Sequence, residues 1–182
     1  MFNPFLIGKK IYLRAPEGGD EEIKALSENH PDPRESLFNA FPSTLEYHRD
    51  HLKRLNNDDK TIIFTICTKE PDKPIGITAF FRLDWVSKAA IYYIAIAEAR
   101  NWSQGYGKEV TQLMVSYAFE TLNLNRIQLH VAAENERAIQ VYRSIGFIEE
   151  GTLREAMFHR GKYCDFYVMG LLKRDWEKQN KE

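Results

Sequence analysis

The spacing of apolar and polar residues changes period several times along the chain, and each change predicts an element. Ile11-Tyr12-Leu13-Arg14-Ala15 alternates and predicts a short strand, broken by Gly18-Gly19-Asp20. Asp20 is placed to cap a helix running to about Asn29, with Ile23 and Leu26 turned inward. Pro31, Pro33 and Pro42 bound a stretch that reads as flexible. Ser43-Thr44-Leu45-Glu46 has the spacing of a capping box, after which Leu45, Leu52 and Leu55 fall near one helical face. Thr61 to Cys67 is β-branched and aromatic, hence a strand. Ile75 to Leu83 and Ala89 to Ala97 follow as two more strands, with turns at 70–74 and 84–88, which predicts a meander.

Beyond Gly105 the period lengthens. Val110, Leu113, Met114, Tyr117, Ala118 and Leu122 recur at three and four, an amphipathic helix that begins at a glycine turn. Arg126 to Ala133 alternates again, with Ile127, Leu129 and Val131 on one face and Gln128, His130 and Ala132 on the other. Asn135 caps a further helix whose inward stripe is Ala138, Val141, Tyr142 and Ile145, and Gly146 ends it in the left-handed conformation. Strands near 148–159 and 163–172 flank the hairpin turn Arg160-Gly161-Lys162. The order is βααβββ, then αβα, then ββ. A strand between two helices predicts an α/β chain with a mixed, partly parallel sheet and helices packed on its faces.

Composition narrows the class. A chain of 182 residues, 43% hydrophobic and 13% aromatic, fits one domain spanning 1–182 with a sizeable core. No run reaches the roughly 18 apolar residues that a bilayer span needs, and MFNPFLIGKK lacks a signal-peptide core, so a cytoplasmic protein is expected. Net charge is −1, which gives no field for nucleic acid or a membrane surface. Cys67 and Cys164 are the two cysteines, and no Cys/His cluster has zinc spacing, so free thiols and no metal are expected. Charge is uneven, however. Residues 17–60 carry eleven acids against six bases. That reads either as solvated helix faces or as a field that draws a cationic substrate, with the later part holding an anion.

The candidate anion site is Trp102-Ser103-Gln104-Gly105-Tyr106-Gly107-Lys108. A strand, a Gly-x-Gly loop and a helix present unpaired amides and a positive dipole end, and Lys108 adds a full charge. The dinucleotide fingerprint GxGxxG fails because Val110 stands at the third glycine. The P-loop fails because Trp102 stands at its first glycine and Glu109 follows the lysine. Taken alone, Gly-x-Gly is also what an ordinary tight turn contains.

Asn135 to Phe147 reads Asn-x-x-Ala-x-x-x-Tyr-x-x-x-Gly-Phe. This segment resembles the second core motif of the GNAT superfamily of N-acetyltransferases. The glycine loop is similar to that family's pyrophosphate motif, (Gln or Arg)-x-x-Gly-x-(Gly or Ala), departing at Trp102. The stretch Ile96 to Gly107 resembles the Rim-type branch, which includes ribosomal-protein and polyamine acetyltransferases. The resemblance implies a GNAT-like fold: a mostly antiparallel central sheet, a splayed parallel strand pair, and helices on both faces. It implies acetyl-CoA as co-substrate, bound on a core of about 89–147. Amides of Gln104, Gly105, Tyr106, Gly107 and Lys108 would grip the pyrophosphate, Ile94, Ala95 and Ile96 would pair with the pantetheine arm, and Asn135 would lie beside the cofactor. Tyr142 matches the family's general acid.

The base that deprotonates the amine is not fixed by any motif. Glu98, at the end of the 89–97 strand, and His130, an imidazole on a polar strand face, are the leading options, with Tyr93, His159 and Asp165 behind them. The implied reaction is acetyl transfer to a primary amine (a polyamine, an amino sugar or amine drug, or a protein N-terminus) by direct attack in a ternary complex. The alternative is a non-catalytic acyl-CoA sensor or scaffold. Members of the family are often dimers, so a homodimer is carried over as an option.

Overall fold

A computed structural model describes residues 3–180. Its elements are β1 (Leu6–Ile7), β2 (Ile11–Arg14), α1 (Asp20–Asn29), α2 (Pro31–Ser36), α3 (Leu45–Asn56), β3 (Ile62–Thr68), β4 (Lys73–Asp84) and β5 (Ala89–Ile96). They continue with α4 (Tyr106–Ser116), β6 (Arg126–Ala132), α5 (Glu136–Ile145), β7 (Ile148–His159), β8 (Lys162–Leu172) and α6 (Lys173–Asn180). The eight strands form one sheet in the order β1-β2-β3-β4-β5-β6-β8-β7. Every neighbouring pair is antiparallel except β5 and β6. Among the described residues no helix is long and apolar enough to cross a membrane.

Strand β3 explains the layering. Its side chains alternate, so Ile63 packs on one face with Leu52 of α3, Ile77 and Ala79, while Phe64 and Ile66 enter the larger core with Val110 and Met114 of α4. Both faces are covered, and the strand accordingly reads as a continuous apolar run. Helices α1 and α3 therefore lie on one side, and α4 and α5 on the other. Met114, Phe119, Ile127, Leu129, Phe147 and Met169 are all at 2% exposure or less in the larger core. Gly146 ends α5 at φ 108°, and Arg160 and Gly161 turn the last hairpin with φ of 47° and 79°, as a two-residue loop of the twisted kind requires.

Several local expectations are corrected. The cap of α1 is Gly19, and Asp20 is its first helical residue. That carboxylate is buried, taking two bonds from Arg14 at 2.7 and 2.9 Å and one from Thr65 at 2.7 Å. The buried face of α1 is Asp20, Glu21, Lys24 and Ser27, while Ile23 and Leu26 are only half-buried. The cap of α3 is Thr44, whose hydroxyl accepts from the Tyr47 amide, because Ser43 is taken up by His48 at 2.6 Å. Leu45 stays exposed. The proline stretch contains α2, which starts at Pro31, where a missing N–H costs nothing. In the α5 stripe Ile139 and Ile145 are buried, whereas Ala138, Val141 and Tyr142 are half-buried. Strand β1 and helix α6 were not foreseen.

Candidate active site

Strands β5 and β6 pair only through Ala89–Ile91 with Arg126–Gln128. Beyond that point each follows its other neighbour. Strand β5 stays on β4 as far as Gly76 with Ile96, and β6 stays on β8 as far as Ala132 with Phe166. Gly76 is needed for this ladder, since a Cβ there would collide with the Ala95 carbonyl. The inner edges of the two strands are left facing a cleft of about 550 Å³.

The loop after β5 forms one end of the cleft. Trp102 donates its indole N–H to the Ile96 carbonyl at 3.1 Å, which folds the loop back onto the strand that precedes it. Lys10, from the β1–β2 turn, donates its ammonium to the Gln104 carbonyl at 3.2 Å and its amide to Glu109 at 2.9 Å. Gly105 then caps α4 at φ 85°, a conformation that favours glycine. The first helical bond runs from the Glu109 amide to the Gly105 carbonyl, so the amides of residues 106–108 precede any helical acceptor. Beyond its neighbours along the chain, nothing lies within 4 Å of where a Gly105 side chain would begin. The loop mouth is open, and such a helix start suits a phosphate group.

The sequence-predicted residues that line this one cleft include Ile94, Ala95 and Ile96 on the β5 wall, Gly105, Gly107 and Lys108 at the loop, and Asn135, Tyr142 and His130. The Asn135 side chain caps α5 by accepting from the Ala138 amide at 3.2 Å. Gln104 and Tyr106 flank the loop without lining the cleft: Gln104 is exposed, and the Tyr106 ring packs against the main core. Glu98 lies outside the lining. Arg100 holds its carboxylate at 2.6 Å, with Lys73 at 3.9 Å. Of the remaining base options, Tyr93 lines the cleft, His159 stacks on Phe38, and Asp165 accepts the Glu155 amide at 2.7 Å.

Tyr142 stands edge-on to Tyr92, with ring centroids 6.5 Å apart at 89°, and 5.8 Å from Phe147. Tyr92 is fixed in turn, with its hydroxyl 3.0 Å from that of Thr111, which donates to the Gly107 carbonyl at 2.7 Å. Burial pushes the Tyr142 phenol up to about 12. It therefore holds its proton across the physiological range. His130 is exposed, with Nε2 3.1 Å from the Gln128 side-chain nitrogen.

Sequence reasoning missed two groups. Arg137, in the first turn of α5, lines the cleft and lays its guanidinium 4.7 Å from the centre of the Trp102 ring. A cation at a helix N-terminus opposes the dipole, and that mismatch was the available signal. Phe38 and Phe166 also line the cleft, 5.0 Å apart at 66°. Their meeting depends on a long-range packing that no spacing records.

The fold and motifs have close counterparts. The acetyltransferase (GNAT) domain family matches residues 10–148. The N-acetyltransferase p20 of Bacillus licheniformis is 32% identical over 94% of this chain and 97% of its own length. Spermidine N(1)-acetyltransferase of Vibrio cholerae is 29% identical over 92% of this chain and 95% of its own. A crystal structure of the Vibrio cholerae spermidine N-acetyltransferase, in complex with CoA and spermine, superimposes with a TM-score of 0.86 at 25% identity, covering 93% of this chain and 99% of that one. With its splayed β5–β6 pair and its glycine-turn helix, the chain belongs to the GNAT family of N-acetyltransferases.

Proposed function

We propose that the chain transfers the acetyl group of acetyl-CoA to a primary amine by direct attack within a ternary complex. One observation carries this reading: an open glycine turn rimmed by cations, an unpaired strand edge and a phenol that keeps its proton all line a single cleft. The relative solved with CoA bound supports the choice of co-substrate.

On this reading the amides of residues 106–108, with Lys108 and Arg137, hold the pyrophosphate end. The free edge of β5 at Ile94–Ile96 orients the pantetheine arm, and a backbone N–H there polarises the thioester carbonyl. The amine nitrogen forms the new C–N bond and the C–S bond breaks. Tyr142 gives its proton to the departing thiolate, and the proton that the new amide nitrogen sheds goes to solvent, from which the phenol recovers one. The ammonium proton of the acceptor leaves to water or to His130. Glu98 is the weaker choice, being held by Arg100 away from the cleft.

Thiol release from acetyl-CoA, measured with a panel of primary amines, tests the proposal. Amine-dependent release supports it. Tight acetyl-CoA binding with no release for any amine would instead identify a sensor. Self-association belongs to the same reading, since β7 is the outer strand of the sheet and exposes Ile148, Leu153 and Phe158, and a Vibrio cholerae relative has a dodecameric structure. Sedimentation of the purified chain checks it.

A further inference from the structure

Among the described residues that line the cleft there is no carboxylate, and the charged side chains are Lys108 in the loop and Arg137 against Trp102. Of the acids in the N-terminal helices, which sequence alone could assign to a cationic substrate, Glu22, Asp32, Glu46 and Asp50 are exposed and outside the cleft lining, and four others are held by basic partners. Asp20 pairs with Arg14, Glu21 with Arg49, Glu28 with Lys24, and Glu35 with Arg160. Besides the loop, the lining offers Leu37, Phe38, Tyr93 and Phe166, with His130.

The way Phe38 reaches that place is informative. Helix α2 packs on α1, yet its last residues cross to the β7–β8 hairpin. Glu35 pairs with Arg160 of the hairpin turn, and the Phe38 ring lies tilted against His159 at 4.6 Å and edge-on to Phe166 at 5.0 Å. Residues 36–38 thus join the lining of the cleft between β5 and β6. Phe38 holds φ at 58°, an unfavourable conformation for a bulky residue, and its ring contacts with His159 and Phe166 help to hold it there. Strain kept at a cleft wall directs attention to what that wall touches.

We infer that the acceptor is an amine with a single positive charge joined to an aromatic or branched apolar body, and not a polyamine. This deepens the proposed function and rests on it. A polyamine would bring several ammonium groups into a cleft with no carboxylate to offset their desolvation. One ammonium can be held against ring faces, and an apolar body packs against the wall that Phe38 and Phe166 form together. The same surroundings do chemical work: desolvation lowers the pKa of the bound ammonium and raises the fraction of neutral nucleophile, which a cleft without a carboxylate base needs. Two sources share this chemistry, a small arylalkylamine and a peptide whose first residue is apolar.

The test compares kcat/KM by thiol release for phenethylamine, for a peptide beginning with Leu, and for spermidine, with acetyl-CoA binding followed separately by calorimetry. Phenethylamine or the peptide is expected to exceed spermidine at least tenfold, and which of the two leads identifies the source. Phe38→Ala and Phe166→Leu are each expected to raise KM for the preferred amine about tenfold while leaving acetyl-CoA affinity within twofold. A preference for spermidine, or unchanged KM in both variants, would overturn the inference and leave acetyl transfer standing. Acetyl-CoA binding with no transfer to any amine would remove both.

Discussion

The guanidinium of Arg137 lies 4.7 Å from the centre of the Trp102 indole, and that indole is bonded to the Ile96 carbonyl. The start of α5 is thereby fastened to the end of β5 across the mouth of the cleft. A cation in the first turn of a helix is unfavourable by itself, and an anion bound beside it reverses the sign. Arg137→Ala is expected to raise the Kd for coenzyme A about tenfold, with Arg137→Lys in between because lysine keeps the charge but loses the planar stacking. Calorimetry at two ionic strengths checks this, and the variant should show the smaller salt dependence. An unchanged Kd would assign Arg137 to loop packing alone.

Gly105 separates charge from backbone strain. Asn and Asp tolerate its φ of 85° about equally, and beyond its neighbours along the chain nothing lies within 4 Å of the position their Cβ would take. Gly105→Asn should therefore weaken acetyl-CoA binding modestly. Gly105→Asp, which sets a carboxylate against the pyrophosphate, should weaken it at least tenfold further. Equal losses in the two variants would show that no anion approaches this turn.

His48 gives the fold a pH dependence. Its side chain is fully buried, with Nε2 2.6 Å from the Ser43 hydroxyl, Nδ1 without a hydrogen bond, and Glu28 3.8 Å away. Burial holds the imidazole below its usual value, outweighing the pull of Glu28. The unfolded chain then binds more protons than the native one as the pH falls, so this contribution is present above about 6.5 and is lost below it. The melting temperature should drop between pH 7.5 and 5.5, and His48→Gln should lessen that drop. Parallel curves for the two proteins would contradict the assignment.

What the sequence discloses and what it hides follow from the range of each interaction. Gly105, Gly146 and Gly161 were legible because positive φ restricts the residue type at that position alone. The β3–β5 meander was legible because period and turn residues are local. The buried polar face of α1 was not, since Asp20 is worth burying only once Arg14 and Thr65 stand opposite it, 6 and 45 residues away. Ser43 lost its capping role to a histidine five residues on. In the site, the motif residues Gly105, Asn135 and Tyr142 were placed on one cleft by short-range signals. Phe38, in a segment with no period, joined them through His159 and Phe166, and the acidic excess of residues 17–60 gave no hint that Asp20 and Glu21 are buried against Arg14 and Arg49 while most of the others stay exposed.

The claim at the centre of this account is that Tyr142 protonates the leaving thiolate. With the phenol pushed up to about 12, its ionisation should leave no limb in the pH–rate profile below about pH 11. The direct measurement is kcat for Tyr142→Phe, alongside acetyl-CoA affinity by calorimetry. Loss of a general acid should lower kcat by about 100-fold or more with Kd within threefold of the parent. A variant that keeps its full kcat would contradict the account.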